Sequence, residues 1–105
     1  MFDKSQLMKG TLEGCILKII SRKSTYGYEI LENLKKEGFV ELIEGTIYPI
    51  LLRLEKKGFI KGELKESPYG PKRKYFNLTK EGYESLGEFE KYFNELNEIV
   101  NRILK

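Results

Sequence analysis

Leu86, Phe89, Phe93, Leu96, Val100 and Ile103 follow one another at spacings of 3, 4, 3, 4 and 3. That is the seam of a heptad helix. Tyr83, Tyr92, Ile99 and Leu104 widen the stripe. With Thr79 as a candidate N-cap, the pattern predicts one helix running to about Leu104. About 25 residues at ~1.5 Å each make a rod of roughly 37 Å, longer than a small three-helix core needs. We therefore expect residues 79–105 to form a C-terminal dimerisation helix that also packs with the N-terminal helix, its seam being the six residues named first. The alternative is a helix folded back on its own domain. Phe89, Tyr92 and Phe93 are candidates for lining a ligand pocket between the C-terminal helix and a partner's first helix, although interface packing explains them at least as well.

The rest of the chain must supply a domain of three shorter helices and a hairpin. Leu12, Cys15, Ile16, Ile19 and Ile20 have helical spacing, and this first helix could begin as early as Ser5. Ser24 or Thr25 can cap a second helix with Ile30, Leu31 and Leu34 on its apolar face and Gly38 as its stop. Ile47, Ile50, Leu51 and Leu54 make a third stripe, between a Thr46 N-cap and Gly58. Pro49 would then fall in the first turn, where a missing N–H costs little. Residues 59–66 and 72–78 alternate apolar and polar around Ser67-Pro68-Tyr69-Gly70-Pro71, a joint rich in turn formers. Two helices joined by a short connector, then a hairpin, describe a winged helix-turn-helix. The expected class is mainly α with a small β part (α+β), residues 1–78 forming the winged domain.

Composition excludes more than it suggests. The chain has 105 residues, one cysteine and no histidine. The usual zinc sites and His-dependent nucleophilic catalysis lose their ligands and bases. No catalytic residue, metal or cofactor is expected, and the chain does not read as an enzyme. No apolar run approaches the ~18 residues of a membrane span, and residues 1–10 lack the layout of a signal peptide. We expect a cytoplasmic protein with no membrane partner. Cys15 lies on an apolar helix face, where a small buried hydrophobe is a better account than a redox sensor. Net charge is +3, but residues 53–74 hold eight Lys/Arg against three Glu. A basic middle fits a local anionic partner, or simply a solvated lysine-rich surface.

Three stretches in order, YGYEI, then GTIYPILLRLEKKGFI, then YGPKRKYFNLTKEG, resemble the PadR family of bacterial transcriptional regulators. The resemblance spans nearly the whole chain. It implies a homodimeric repressor bound to an inverted-repeat operator in double-stranded DNA, often released by a small-molecule inducer. The single C-terminal helix is similar to the smaller PadR subclass. Some small members place tryptophans in a drug-binding dimer pore, and this chain has no Trp.

In a helix-turn-helix, the second helix presents its N-terminal part to base edges. Thr46 and Tyr48 could then donate to phosphates or touch bases, Pro49 could pack flat on sugar or methyl, and Arg53 could reach guanine or phosphate. Tyr48 could instead be an aromatic packed on the wing. Lys72, Arg73 and Lys74 form the basic wing. Alternation puts Lys72 and Lys74 on one side and Arg73 on the other, so two of the three are expected to reach DNA while Arg73 could brace the domain by a salt bridge. The competing function is a winged-helix interaction module whose basic surface meets an acidic protein.

Overall fold

The computed structural model describes residues 1–67 and 70–105. The element order is α1 (Lys4–Lys9), α2 (Leu12–Arg22), β1 (Thr25–Tyr26), α3 (Gly27–Glu37), α4 (Glu44–Lys56), β2 (Ile60–Ser67), β3 (Gly70–Leu78) and α5 (Lys80–Leu104).

The first helix of the sequence is two helices. Asp3 caps α1 by accepting from the Gln6 N–H at 3.3 Å. At Thr11 the chain turns, because both its N–H (3.1 Å) and its hydroxyl (2.8 Å) donate to the Met8 carbonyl. The helix α2 restarts from there and buries Leu12, Ile16, Leu17 and Ile20.

Thr25 is not the expected cap. With Tyr26 it forms a short strand, β1, whose Thr25 pairs with Phe76 and Tyr26 with Tyr75. The Thr25 hydroxyl, buried, donates to Glu29 Oε1 at 2.6 Å. Tyr26 takes the N-cap position of α3 without a side-chain bond. At the other end Gly38, at φ 134°, gives its N–H to the carbonyls of Leu34 and Lys35, a conformation that a side chain would strain.

The helix α4 starts earlier than its sequence signal. Ile43 is the N-cap, so Thr46 lies inside the first turn with its N–H on the Ile43 carbonyl at 3.0 Å. Pro49 is consequently inside the helix. There it deprives the Gly45 carbonyl of its ordinary i+4 donor. At the C-terminal end Gly58, at φ 79°, turns the chain into the sheet.

Strands β2 and β3 pair antiparallel from Ile60↔Leu78 to Ser67↔Gly70, and β1 lies on the other edge of β3. Pro68 and Tyr69, at the centre of the expected turn, lie outside the described residues. Gly70 and Pro71 are already in β3. The hairpin is the wing of a winged helix-turn-helix whose core joins α2, α3 and α4 with Ile60, Phe76 and Leu86.

Thr79 caps α5 as its sequence predicts. Its Oγ1 accepts from the Gly82 N–H at 3.0 Å and donates to the Gly58 carbonyl. Its N–H donates to the Phe59 carbonyl at 3.1 Å. Gly82 sits so close that a Cβ there would overlap the Phe59 carbonyl. Further on, the Phe89 ring covers Gly14 of α2, and Lys18 pairs with Glu90 at 3.5 Å. The heptad seam thus divides. Leu86 is in the protomer's own core and Phe89 is half-buried against it. Phe93, Leu96, Val100 and Ile103 are exposed.

Candidate nucleic-acid interface

A helix advances about 100° per residue. With Ile47, Ile50, Leu51 and Leu54 turned to the core, the opposite side of α4 consists of Gly45, Tyr48, Pro49, Leu52 and Lys56, all exposed. Tyr48 leans toward the sheet. Its ring lies over Gly27, where a Cβ would come within 2.8 Å of Cε1. The glycine that opens α3 therefore makes room for the phenol, which remains 50% exposed. Tyr48 is both a packed ring and an accessible one.

Between α4 and the wing runs a cleft of about 470 Å³. Tyr26, Tyr28, Tyr48 and Leu52 form its aromatic and apolar wall, and Lys72, Arg73 and Lys74 its basic wall. The cations are held differently. Lys74 crosses Gly62 and its Nζ meets Glu55 Oε1 at 2.8 Å. The Arg73 guanidinium lies 4.5 Å from the Tyr26 ring centre, and Tyr26 meets Tyr75 edge to face at 5.2 Å. The brace by salt bridge expected of Arg73 is made by Lys74, while Arg73 is steadied by a ring. Lys65 lies opposite Arg73 across the hairpin, with its Nζ 5.2 Å from the Tyr75 ring. Like charges directly opposed are unfavourable, and the two tyrosines partly offset them. Lys72 makes no ion pair among the described residues.

The remaining expected contacts lie on the other flank of α4. Arg53 Nε donates to Glu13 Oε1 at 2.7 Å, and Lys57 approaches the same carboxylate at 3.9 Å. Arg53 thus ties α4 to α2. Thr46 lines a separate groove of about 300 Å³ with Met8, Leu12, Phe39 and Leu42. The structure therefore gathers Tyr48, Lys72, Arg73 and Lys74 around one cleft, with Pro49 exposed on α4 outside its lining. Thr46 and Arg53 stand apart from it.

Sequence reasoning missed Leu52, Gly45 and Tyr28. A signal for Leu52 was present. Ile50-Leu51-Leu52 are three consecutive apolar residues, and a helix at the edge of a core cannot turn all three inward. Leu52 is the one turned out, 55% exposed.

The ligand candidates also separate. Phe89 and Phe93 stack at 5.9 Å, Phe89 is anchored on Gly14, and Tyr92 and Phe93 are exposed. Burial pushes the Cys15 thiol up and so disfavours the reactive thiolate, an effect partly countered by the hydrogen bond with Thr11. Among the described residues there is no group of metal-ligating side chains and no helix long and apolar enough to cross a membrane.

The model of the Transcriptional regulator PadR-like family matches residues 16–88. A PadR-like transcriptional regulator from Bacillus cereus is similar in structure, with 49% identity and a TM-score of 0.86, over 95% of this chain and 97% of that one. A Streptococcus transcriptional regulator has 46% identity and a TM-score of 0.87, over 95% and 98%. A PadR-family regulator from Eggerthella lenta keeps a TM-score of 0.87 at 31% identity, over 96% and 88%. An uncharacterised protein of Lysinibacillus sphaericus is 33% identical over 97% of this chain and 95% of its own length.

Proposed function

The chain belongs to the PadR-like family of transcriptional regulators, and on that footing we propose that it is a cytoplasmic homodimeric repressor that binds an inverted-repeat operator and is released by a small hydrophobic ligand. One observation carries the DNA part of this reading. The bare outer face of α4 stands beside a wall of three wing cations across one cleft. In this reading α4 enters the major groove. Lys72 and Arg73 neutralise phosphates on its flank while Lys74 stays braced on Glu55, and Tyr48 reaches a base edge or phosphate from the cleft wall. Thr46 and Arg53 act from the first turn and the far flank, on the strand that passes α2.

Dimerisation is supported by the outer half of α5. Its exposed Tyr92, Phe93, Leu96, Ile99, Val100 and Ile103 form an apolar stripe of the kind a second copy covers. A closed two-fold pair presents two recognition helices to two half-sites, and an inverted repeat has that symmetry. A hydrophobic inducer would lodge where Tyr92 and Phe93 of two such helices meet.

The test is binding to the protein's own promoter DNA, by fluorescence anisotropy over a range of salt. Log affinity is expected to fall with log salt by about 0.9 per phosphate neutralised. Thr46→Ala combined with Tyr48→Ala should weaken operator binding at least about tenfold, the loss of one or two good contacts, with the circular dichroism spectrum unchanged. Sequence-blind binding at every salt would overturn the operator reading and return the basic face to an acidic protein partner.

A further inference from the structure

We propose that Leu52 is the central base-reading side chain of α4 and that it reads the 5-methyl group of thymine. The inference rests on the DNA-binding reading above and specifies what that face recognises.

The argument begins with what the outer face of α4 lacks. Distinguishing guanine or adenine in the major groove takes bidentate side chains, chiefly Arg, Asn or Gln. Residues 44–57 contain neither Asn nor Gln. Their single arginine, Arg53, is held at 2.7 Å by Glu13 on the side facing α2. Lys56, the one cation on the outer face, lies at the helix's last residue. What remains toward a base edge is Gly45, Tyr48, Pro49 and Leu52.

Those residues are organised as an apolar surface. Leu52 lies one turn beyond Tyr48, 55% exposed, and Pro49 flanks it. Gly45 leaves the first turn bare, since a Cβ there would meet nothing nearer than Ile43 Cδ1 at 3.7 Å. Cations rim the patch, with Lys56 on α4 and Lys72 and Lys74 across the cleft. An apolar centre inside a cationic rim is complementary to major-groove methyls set between two phosphate strands. In the major groove, the C5-methyl of thymine is the apolar group that natural bases offer. Burying one methyl is worth ~0.8 kcal/mol, which is about fourfold in affinity.

The experiment uses the full-length protein and a library of duplexes with 20 randomised base pairs. Rounds of binding and amplification yield an enriched duplex, which is then synthesised with thymine and with uracil at each half-site T. The expected result is a loss of about fourfold per half-site for the uracil duplex with the unmodified protein. Leu52→Ala should lower affinity for the thymine duplex, melt at an unchanged temperature, and be indifferent to the replacement of thymine by uracil. Equal binding of the two duplexes by the unmodified protein overturns the inference while leaving the DNA reading intact. So does a Leu52→Ala variant that still loses the full fourfold on uracil. If no duplex is enriched, the DNA-binding reading fails first, and this inference with it.

Discussion

Replacing Gly82 by alanine is expected to lower the melting temperature by more than 10 °C, or to prevent folding. The residue sits where α5 passes Phe59, just beyond the end of α4, and a Cβ there would overlap the carbonyl of Phe59. That obstacle is backbone, and it is fixed on both sides. The Phe59 N–H bonds the Leu54 carbonyl at 3.0 Å, and the Phe59 carbonyl accepts from Thr79. Nothing flexible can give way. Overpacking costs typically 1–3 kcal/mol and more against rigid neighbours. At about 4–8 °C per kcal/mol for a domain of this size, the shift is easily read by differential scanning calorimetry. Gly87→Ala supplies the matched control. It lies in the same helix with nothing near its Cβ, so it should stabilise by up to ~1 kcal/mol through helix propensity. A Gly82→Ala protein that melts like its parent would mean that α5 does not seat on Phe59.

Leu96→Glu together with Val100→Glu should produce a folded monomer. Both residues are exposed in the protomer, so the change removes nothing from its core. In a paired α5 seam they would place buried, unpaired carboxylates opposite their own copies, which costs several kcal/mol. Analytical ultracentrifugation should show dimer affinity weakened by at least about a hundredfold, with helix content unchanged and operator binding lost alongside. A double variant that still sediments as a tight dimer would sink the assignment of the interface to this stripe. The position of a cut matters for the same reason. Truncation before Phe89 uncovers Gly14 and damages the protomer itself, whereas truncation after Tyr92 should leave it folded and monomeric.

Local signals were legible where the cause is local. Thr79 is an N-cap, Gly38 and Gly58 take positive φ, and the heptad spacing of α5 is one continuous helix. The errors fall where a distant group decides. Thr25 looks like a cap because hydroxyls favour that place, yet β3 recruits it into a strand that its own two residues could not sustain. Thr46 has a cap's chemistry, but the chain enters the helix at Ile43, which offers no side-chain bond at all. Arg53 is a different case: its expected contact with DNA stands as a proposal, and what the sequence did not show is the Glu13 carboxylate beside it. Leu86 and Leu96 belong to the same heptad seam, but one meets the protomer's core and the other meets solvent. Spacing along a helix does not say where the domain beneath it ends.

The joint at Thr79 and Gly82 has a consequence for signalling. Hydrogen bonds to Gly58 and Phe59 fasten the start of α5 to the stretch that leaves α4. In the proposed reading, the long helix α5 and the DNA-reading helix α4 are therefore two arms of one lever. In the proposed dimer, a molecule wedged between two such long arms need not touch a single side chain assigned to DNA to be felt. By altering the angle at which the arms cross, it would change the separation of the two short arms. Because the helical repeat of B-DNA fixes that separation at about 34–36 Å, release would come as a loss of gauge between the half-sites.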